Sequence, residues 1–285
     1  MPKVLSAAGV ESAKRNGYVY PVPVVAPAKA RYYLEQFEEF ERNHVHDRPR
    51  KLMVKAHILF PWMIELGTTP ALLDAIEDLI GPDIMLTISA VWVKDGNDPS
   101  FTTWHQDSAY FGFEPLDVWG AWVGLTDSLI EHGCLRYKPG SHSRDELEHV
   151  ETWEEDNLLA RGQLIPEFDE TGAVDAEVRA GEATLHHFRT AHSSKPNTTD
   201  QRRIGILFVY CPPHVRPTLG RFPAKCVRGT DNHGHYDPDP VPKQVMDPDT
   251  LGFLNRLVDS YFDPNVRSES ERNTAAGESS HPISG

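Results

Sequence analysis

Two stretches of this 285-residue chain carry side chains that bind metals and anions at spacings that matter. The first is Thr102-Thr-Trp-His-Gln-Asp-Ser-Ala-Tyr110. His105 and Asp107 lie two apart, so on an extended backbone both side chains leave one face. An imidazole beside a carboxylate supplies two ligands for a first-row metal. Alone, H-x-D is a common coincidence, and its ordinary meaning is a pair of polar residues on a solvated strand. The second stretch is GEATLHHFRTAHSSKPNTTDQRRIG, from Gly181 to Gly205, and it offers His186, His187 and His192 as a further imidazole. Two histidines and one carboxylate on one side of an iron leave three positions open, the pattern of non-haem Fe(II) oxygenases. Those positions accept a bidentate 2-oxo acid and dioxygen, provided a cation anchors the far carboxylate of the acid. A guanidinium does this through two charge-assisted hydrogen bonds. Arg203 lies eleven residues after His192, at the head of the apolar run Ile204 to Tyr210, and can project into a barrel.

The elements that must position these groups are helical first and extended later. Ala28 to Asn43 places Tyr33, Phe37 and Phe40 at helical spacing. Thr69 to Ile80 predicts a second helix, with Thr69 as cap, Pro70 in the first turn and Gly81-Pro82 as the stop. After Gly81 come short β-branched or aromatic runs: Ile84 to Val93, Val118 to Leu125, Glu182 to His187 and Ile204 to Tyr210. No helix alternates with them, which suits an all-β core with helices (α+β), capped by an N-terminal helical layer. The polar stretch Glu146 to Ala180 reads as a long insertion, a candidate lid, with its acidic run at 151–156 solvated. Composition from Arg267 onward predicts a disordered tail.

Charge narrows the partners. Lysine plus arginine number 28 against 42 acids, a net charge of −14, which repels nucleic acid and anionic membranes. Hydrophobic residues at 39% and charged residues at 25% are those of a soluble globular chain. Cys134, Cys211 and Cys226 are scattered and lack CxxC spacing, which points to a reducing compartment. The N-terminal stretch has no apolar signal core, so the expectation is a cytoplasmic protein, a monomer or homodimer.

Three blocks occur in order: WHQD at Trp104 to Asp107, then Ala121-Trp122 with GCLRYKPGSH at Gly133 to His142, then HSSKPN and RRIG between His192 and Gly205. Together, over about Lys55 to Tyr210, they resemble the phytanoyl-CoA dioxygenase (PhyH) family of Fe(II)/2-oxoglutarate-dependent oxygenases. The resemblance implies a double-stranded β-helix (jelly-roll, cupin-like) core. It implies Fe(II) held by His105, Asp107 and His192, with 2-oxoglutarate as co-substrate and O2 as oxidant. Arg203 would clamp the distal carboxylate, with Arg202 as the alternative facing the other way. Ser194 and Trp122 match positions lining the co-substrate pocket, and Lys55 and Gln106 are further candidate contacts. The expected organisation is one oxygenase domain over 1–266 (cap about 1–81, core about 82–215, extension 216–266) followed by the tail 267–285. Relatives that chlorinate carry a small residue where this chain has Asp107, so the resemblance implies oxidation of a C–H bond, hydroxylation first, with release of succinate and CO2. The negative protein disfavours a polyanionic thioester and favours a small molecule such as a natural-product intermediate.

Other polar residues have ordinary roles by default. His186 and His187 are expected as core or pocket histidines, one of them facing inward. His142 is expected to bond backbone in the PGSH turn, and His57 is a minor candidate for the substrate mouth. Trp104, Tyr110, Phe111 and Phe113 should pack and exclude water, and His233 and His235 belong to a solvated loop. The competing classes are a non-catalytic jelly-roll protein holding a structural metal or ligand, and a zinc hydrolase using a His2Asp site.

Overall fold

Alternation along one strand sets the layering of the molecule. In Arg203–Cys211, Ile204, Ile206, Phe208 and Tyr210 join the core beneath the helices, whereas Leu207, Val209 and Cys211 face the other side. The structure, a computed structural model, describes residues 2–44, 52–159 and 162–262. The expected disordered tail, 267–285, lies outside the described residues.

Seven strands form the large sheet in the order β1 (Tyr18–Pro23), β10 (Glu182–His187), β5 (Trp119–Gly124), β12 (Arg203–Cys211), β2 (Ile84–Lys94), β14 (Pro223–Arg228) and β15 (Asp237–Pro238). Pairing is antiparallel except between β14 and β15. A smaller antiparallel sheet runs β3 (Thr102–His105), β11 (His192–Ser194), β6 (Leu135–Tyr137) and β9 (Val174–Ala176). Tyr18 and Trp122 of the first sheet pack with Leu135, Tyr137 and Ala176 of the second, closing a jelly-roll sandwich. Two short ladders complete it: β4 (Phe113–Glu114) with β13 (Arg216–Pro217), and β7 (Val150–Glu151) with β8 (Gln163–Leu164). The polar insertion is therefore not merely a loop. It contains β7 and β8 and lends β9 to the smaller sheet.

Helices α1 (Ala7–Asn16), α2 (Pro27–Asn43), α3 (Pro61–Gly67), α4 (Pro70–Ile80) and α5 (Pro248–Phe262) cover the outer face of the large sheet. Leu72, Leu73 and Ile76 of α4 are buried there, each contributing about 1.5–3 kcal/mol through apolar area removed from water. Ser6 caps α1 by accepting the Gly9 N–H at 3.0 Å. Thr69 does not act as the expected cap. Its hydroxyl instead donates to the Leu66 carbonyl at 3.0 Å, closing the end of α3. No helix among the described residues is long and apolar enough to cross a membrane.

Candidate metal centre

His105 and His192 sit directly opposite each other where β3 pairs with β11, and their rings lie 4.1 Å apart between centroids. The strand ends at His105, and Asp107 opens a 3-10 turn closed by Tyr110 N–H donating to the Asp107 carbonyl at 3.0 Å. Gln106 between them keeps extended backbone angles (φ −117°, ψ 131°), so His105 and Asp107 leave one face as their spacing predicts, before the turn begins. Asp107 Oδ1 lies 3.5 Å from His105 Nε2 and 3.8 Å from His192 Nε2. The three ligand atoms fall within 4.8 Å of one another, and among the described residues this is the one such group that could hold a metal.

The surrounding hydrogen bonds prepare the donors. His105 Nδ1 donates to the Thr103 carbonyl at 2.8 Å and His192 Nδ1 to the Thr190 carbonyl at 2.9 Å, which leaves each Nε2 lone pair facing the shared centre. Burial, with His105 nearby, holds His192 well below the ordinary histidine range, so it is neutral near physiological pH. Burial alone would raise Asp107, but His192, His105 and His186 outweigh it and keep the carboxyl far below its usual value. Two imidazole nitrogens and a carboxylate oxygen suit a divalent first-row metal.

His186 is the inward one of the histidine pair. Its Nε2 donates to Asp107 Oδ2 at 3.2 Å, and its Nδ1 accepts from the Tyr137 hydroxyl at 3.0 Å, which in turn lies 2.8 Å from Thr184 Oγ1. His187 points outward and donates to the Leu116 carbonyl at 2.9 Å.

Across the cavity, Arg203 at the start of β12 is 2% exposed. Its guanidinium lies 4.2 Å from the Trp122 ring centroid and its Nε donates to Ser128 Oγ at 3.0 Å, while Nη2 has no hydrogen-bond partner among the described residues. Burial lowers its pKa to about 10, still charged at neutral pH. A buried donor left unpaired is costly, and here it faces a cavity also lined by His105, Asp107, His192 and Ser194. The donor set fits a carboxylate reaching from the metal to the guanidinium. Trp122 can lie beneath Arg203 because residue 205 is glycine: a Cβ there would come within 1.9 Å of the indole. Gly205→Ala is expected to displace Trp122 and weaken 2-oxoglutarate binding by at least about tenfold while leaving metal content unchanged, measured by calorimetry and metal analysis; equal affinity would show that the indole shelf is dispensable.

Other expected contacts lie elsewhere. Gln106 is buried, but its amide donates to the Arg189 carbonyl at 2.8 Å and accepts from Leu147 N–H at 2.7 Å, outside the cavity lining. Lys55 is fully buried with its ammonium 2.9 Å from Asp239 Oδ1, and it does not line the cavity either. His57 shares that cluster, donating to Asp239 Oδ2 at 2.9 Å and lying 2.7 Å from Ser89 Oγ, so it has no exposure at any mouth. Arg202 faces away and grips Glu41 at 2.8 and 3.0 Å and Asp95 at 2.7 Å. His142 donates to the Lys14 carbonyl at 2.9 Å. The residue that sequence reasoning missed is Lys94, fully buried opposite Arg203 at the end of β2. Only the strand register reveals it.

Similarity to known proteins follows the same geometry. The phytanoyl-CoA dioxygenase (PhyH) family model matches residues 13–205. A probable alpha-ketoglutarate-dependent hypophosphite dioxygenase of Stutzerimonas stutzeri is 28% identical over 204 residues, covering 71% of this chain and 67% of that protein. The apo structure of the non-heme monooxygenase ThoJ superimposes with a TM-score of 0.80 at 30% identity, over 93% of this chain and 99% of the other. The epimerase SnoN, crystallised with Fe3+, alpha-ketoglutarate (2-oxoglutarate) and nogalamycin RO, gives a TM-score of 0.61 at 25% identity over 74% of this chain and 84% of its own. The family match spans both imidazoles, the carboxylate and the guanidinium that meet between the sheets, and the chain thus belongs to the phytanoyl-CoA dioxygenase family, as an Fe(II)/2-oxoglutarate-dependent oxygenase.

Proposed function

We propose that this oxygenase hydroxylates, or otherwise oxidises, an unactivated C–H bond of a small molecule, a natural-product intermediate being the favoured class. The observation that carries the reading is a three-ligand metal group facing a buried arginine whose Nη2 lacks a partner. His105 and His192 would hold Fe(II) through Nε2 and Asp107 through its carboxylate, with His186 fixing the second carboxylate oxygen. Arg203 would pair with the distal carboxylate of 2-oxoglutarate, steadied by Trp122 and Ser194. When bound, iron with 2-oxoglutarate and dioxygen supplies the oxidising power for the C–H bond, with succinate and CO2 as co-products. The protein's own part is orientation and dryness. Trp92, Trp122 and Leu207 wall the cavity, excluding bulk water from the reacting carbon.

The substrate class draws on charge and kinship. At −14 the protein disfavours a polyanionic thioester, and SnoN is described as an epimerase from nogalamycin biosynthesis. A single domain over 1–266, a cytoplasmic location, a monomer or homodimer, and no nucleic-acid or membrane partner complete the proposal. Anaerobic addition of Fe(II) and 2-oxoglutarate is expected to give a weak visible band near ~500 nm, as that chelate geometry implies. A succinate-release screen over small-molecule classes then identifies the substrate. No band, with zinc filling the site in purified protein, would favour a structural-metal protein or a hydrolase.

A further inference from the structure

Lys94 closes β2 directly across from Arg203, and the two buried side chains enter the space between the sheets together. The Lys94 amino group lies 2.9 Å from Ser194 Oγ and also donates to the Lys195 carbonyl. Ser194 Oγ lies 3.0 Å from Thr102 Oγ1, and Ser194 and Thr102 both line the metal cavity. Among the described residues no carboxylate hydrogen-bonds either basic group; Arg203 lines the cavity itself, and Lys94 reaches it through Ser194, which lines it too. Such a pair is poorly placed in the absence of a ligand and well placed around a dicarboxylate's far end.

Hydroxyl valence sharpens this. A serine hydroxyl has one hydrogen and two lone pairs, and an ammonium can only donate. A protonated Lys94 therefore occupies a lone pair of Ser194 and leaves its O–H to donate elsewhere, with the cavity as one direction. Resting on the reading of Arg203 above, we propose that Lys94 is a positioning residue of the co-substrate pocket, which directs the Ser194 hydroxyl at the distal carboxylate of 2-oxoglutarate and adds a second positive charge behind that hydroxyl.

The groups around Lys94 are Arg203 from β12, Asp98 from the turn after β2, and Cys134 ahead of β6. Burial and then Arg203 lower Lys94 to about 6, against the opposing pull of Asp98 and Cys134. Cys134 is itself pushed up to about 12 by burial, so it is a neutral thiol and no counter-ion. Without the anion Lys94 sheds its proton as pH rises through about 6; a carboxylate alongside favours the charged form. Binding of 2-oxoglutarate near neutral pH should therefore take up a proton.

The test is calorimetry of 2-oxoglutarate binding to Mn(II)-loaded protein near neutral pH, in two buffers of different ionisation enthalpy. Wild type is expected to take up close to one proton. Lys94→Met is expected to bind about ten- to a hundredfold more weakly with no uptake, the loss expected for a charge-assisted hydrogen bond. Adding Ser194→Ala to Lys94→Met should cost little more, since both act on one hydroxyl. With 2-oxopentanoate, which lacks the distal carboxylate, wild type and Lys94→Met should bind alike without uptake. Absence of uptake by wild type overturns the inference even if Lys94→Met fails to fold, and wild-type affinity in a folded Lys94→Met overturns it as well. If wild type does not bind 2-oxoglutarate, or Arg203→Met leaves its affinity intact, the reading of the site fails instead.

Discussion

Asp107→Ala is expected to abolish turnover and to empty the metal site. The carboxylate is the single anionic ligand in the group, with Oδ1 3.5 Å from one imidazole and 3.8 Å from the other. Its loss leaves only the two imidazoles and strands the His186 Nε2–H that had donated to Oδ2. Losing an outer partner of a metal ligand typically costs about 10–100-fold in affinity or activity, so losing the ligand itself should exceed about a hundredfold. Metal content after dialysis and succinate release both report it. The fold should persist, because the β3–β11 pairing does not depend on this side chain. Full hydroxylase activity in the variant would remove Asp107 from the ligand set.

Arg203→Met should strike the co-substrate rather than the metal. Truncating one partner of a buried charge pair commonly costs about 2–5 kcal/mol, so 2-oxoglutarate affinity should fall by about thirtyfold or more. Fe(II) binding should be unchanged, and high 2-oxoglutarate should recover part of the rate. Methionine fills a similar volume and removes a buried charge that lacks a full set of partners, so the metal-free variant should melt no lower than wild type. Arg203→Lys is expected to restore only part of the affinity, because a point charge replaces a planar fork and the stacking on Trp122 is lost. Unchanged affinity in Arg203→Met would move the clamp elsewhere.

Much of the architecture was legible because the strands are short runs rich in β-branched and aromatic residues. The runs containing Leu185, Ile204 and Phe208 announce buried strands, and their succession without alternating helices excludes a βαβ fold. The meeting of His105, Asp107 and His192 was legible from the motif blocks and from the two-residue spacing of the first pair. Gln106 is extended, so same-face alternation holds from His105 to Asp107, and the 3-10 turn follows it. Periodicity also predicts that one of His186 and His187 faces inward without saying which, since the choice depends on the register of β10 against β5 and on Gly120, where a Cβ would come within 2.8 Å of the His186 ring. Lys94 was illegible for a plainer reason. A lysine ending an apolar strand reads as a solvated edge charge until the pairing with Arg203 is known. Lys55 shows the opposite failure, because its carboxylate lies in a segment whose proximity nothing local announces. The short strand β9 carries Asp175 between two apolar residues, too brief a pattern to stand out within a polar insertion.

The Lys55–Asp239 pair also governs how the chain is made. The two residues are 184 positions apart, so a ribosome adding about 5–20 residues per second separates their emergence by roughly 10–40 s. During that interval the amine has no carboxylate to accompany it into the interior, and the central β2 still awaits β12. Vectorial synthesis therefore delivers apolar strands well before their neighbours exist. The jelly-roll closes only after nearly all of it has emerged, which makes a nascent-chain holdase, or slow expression in the cold, the natural remedy for poor yield.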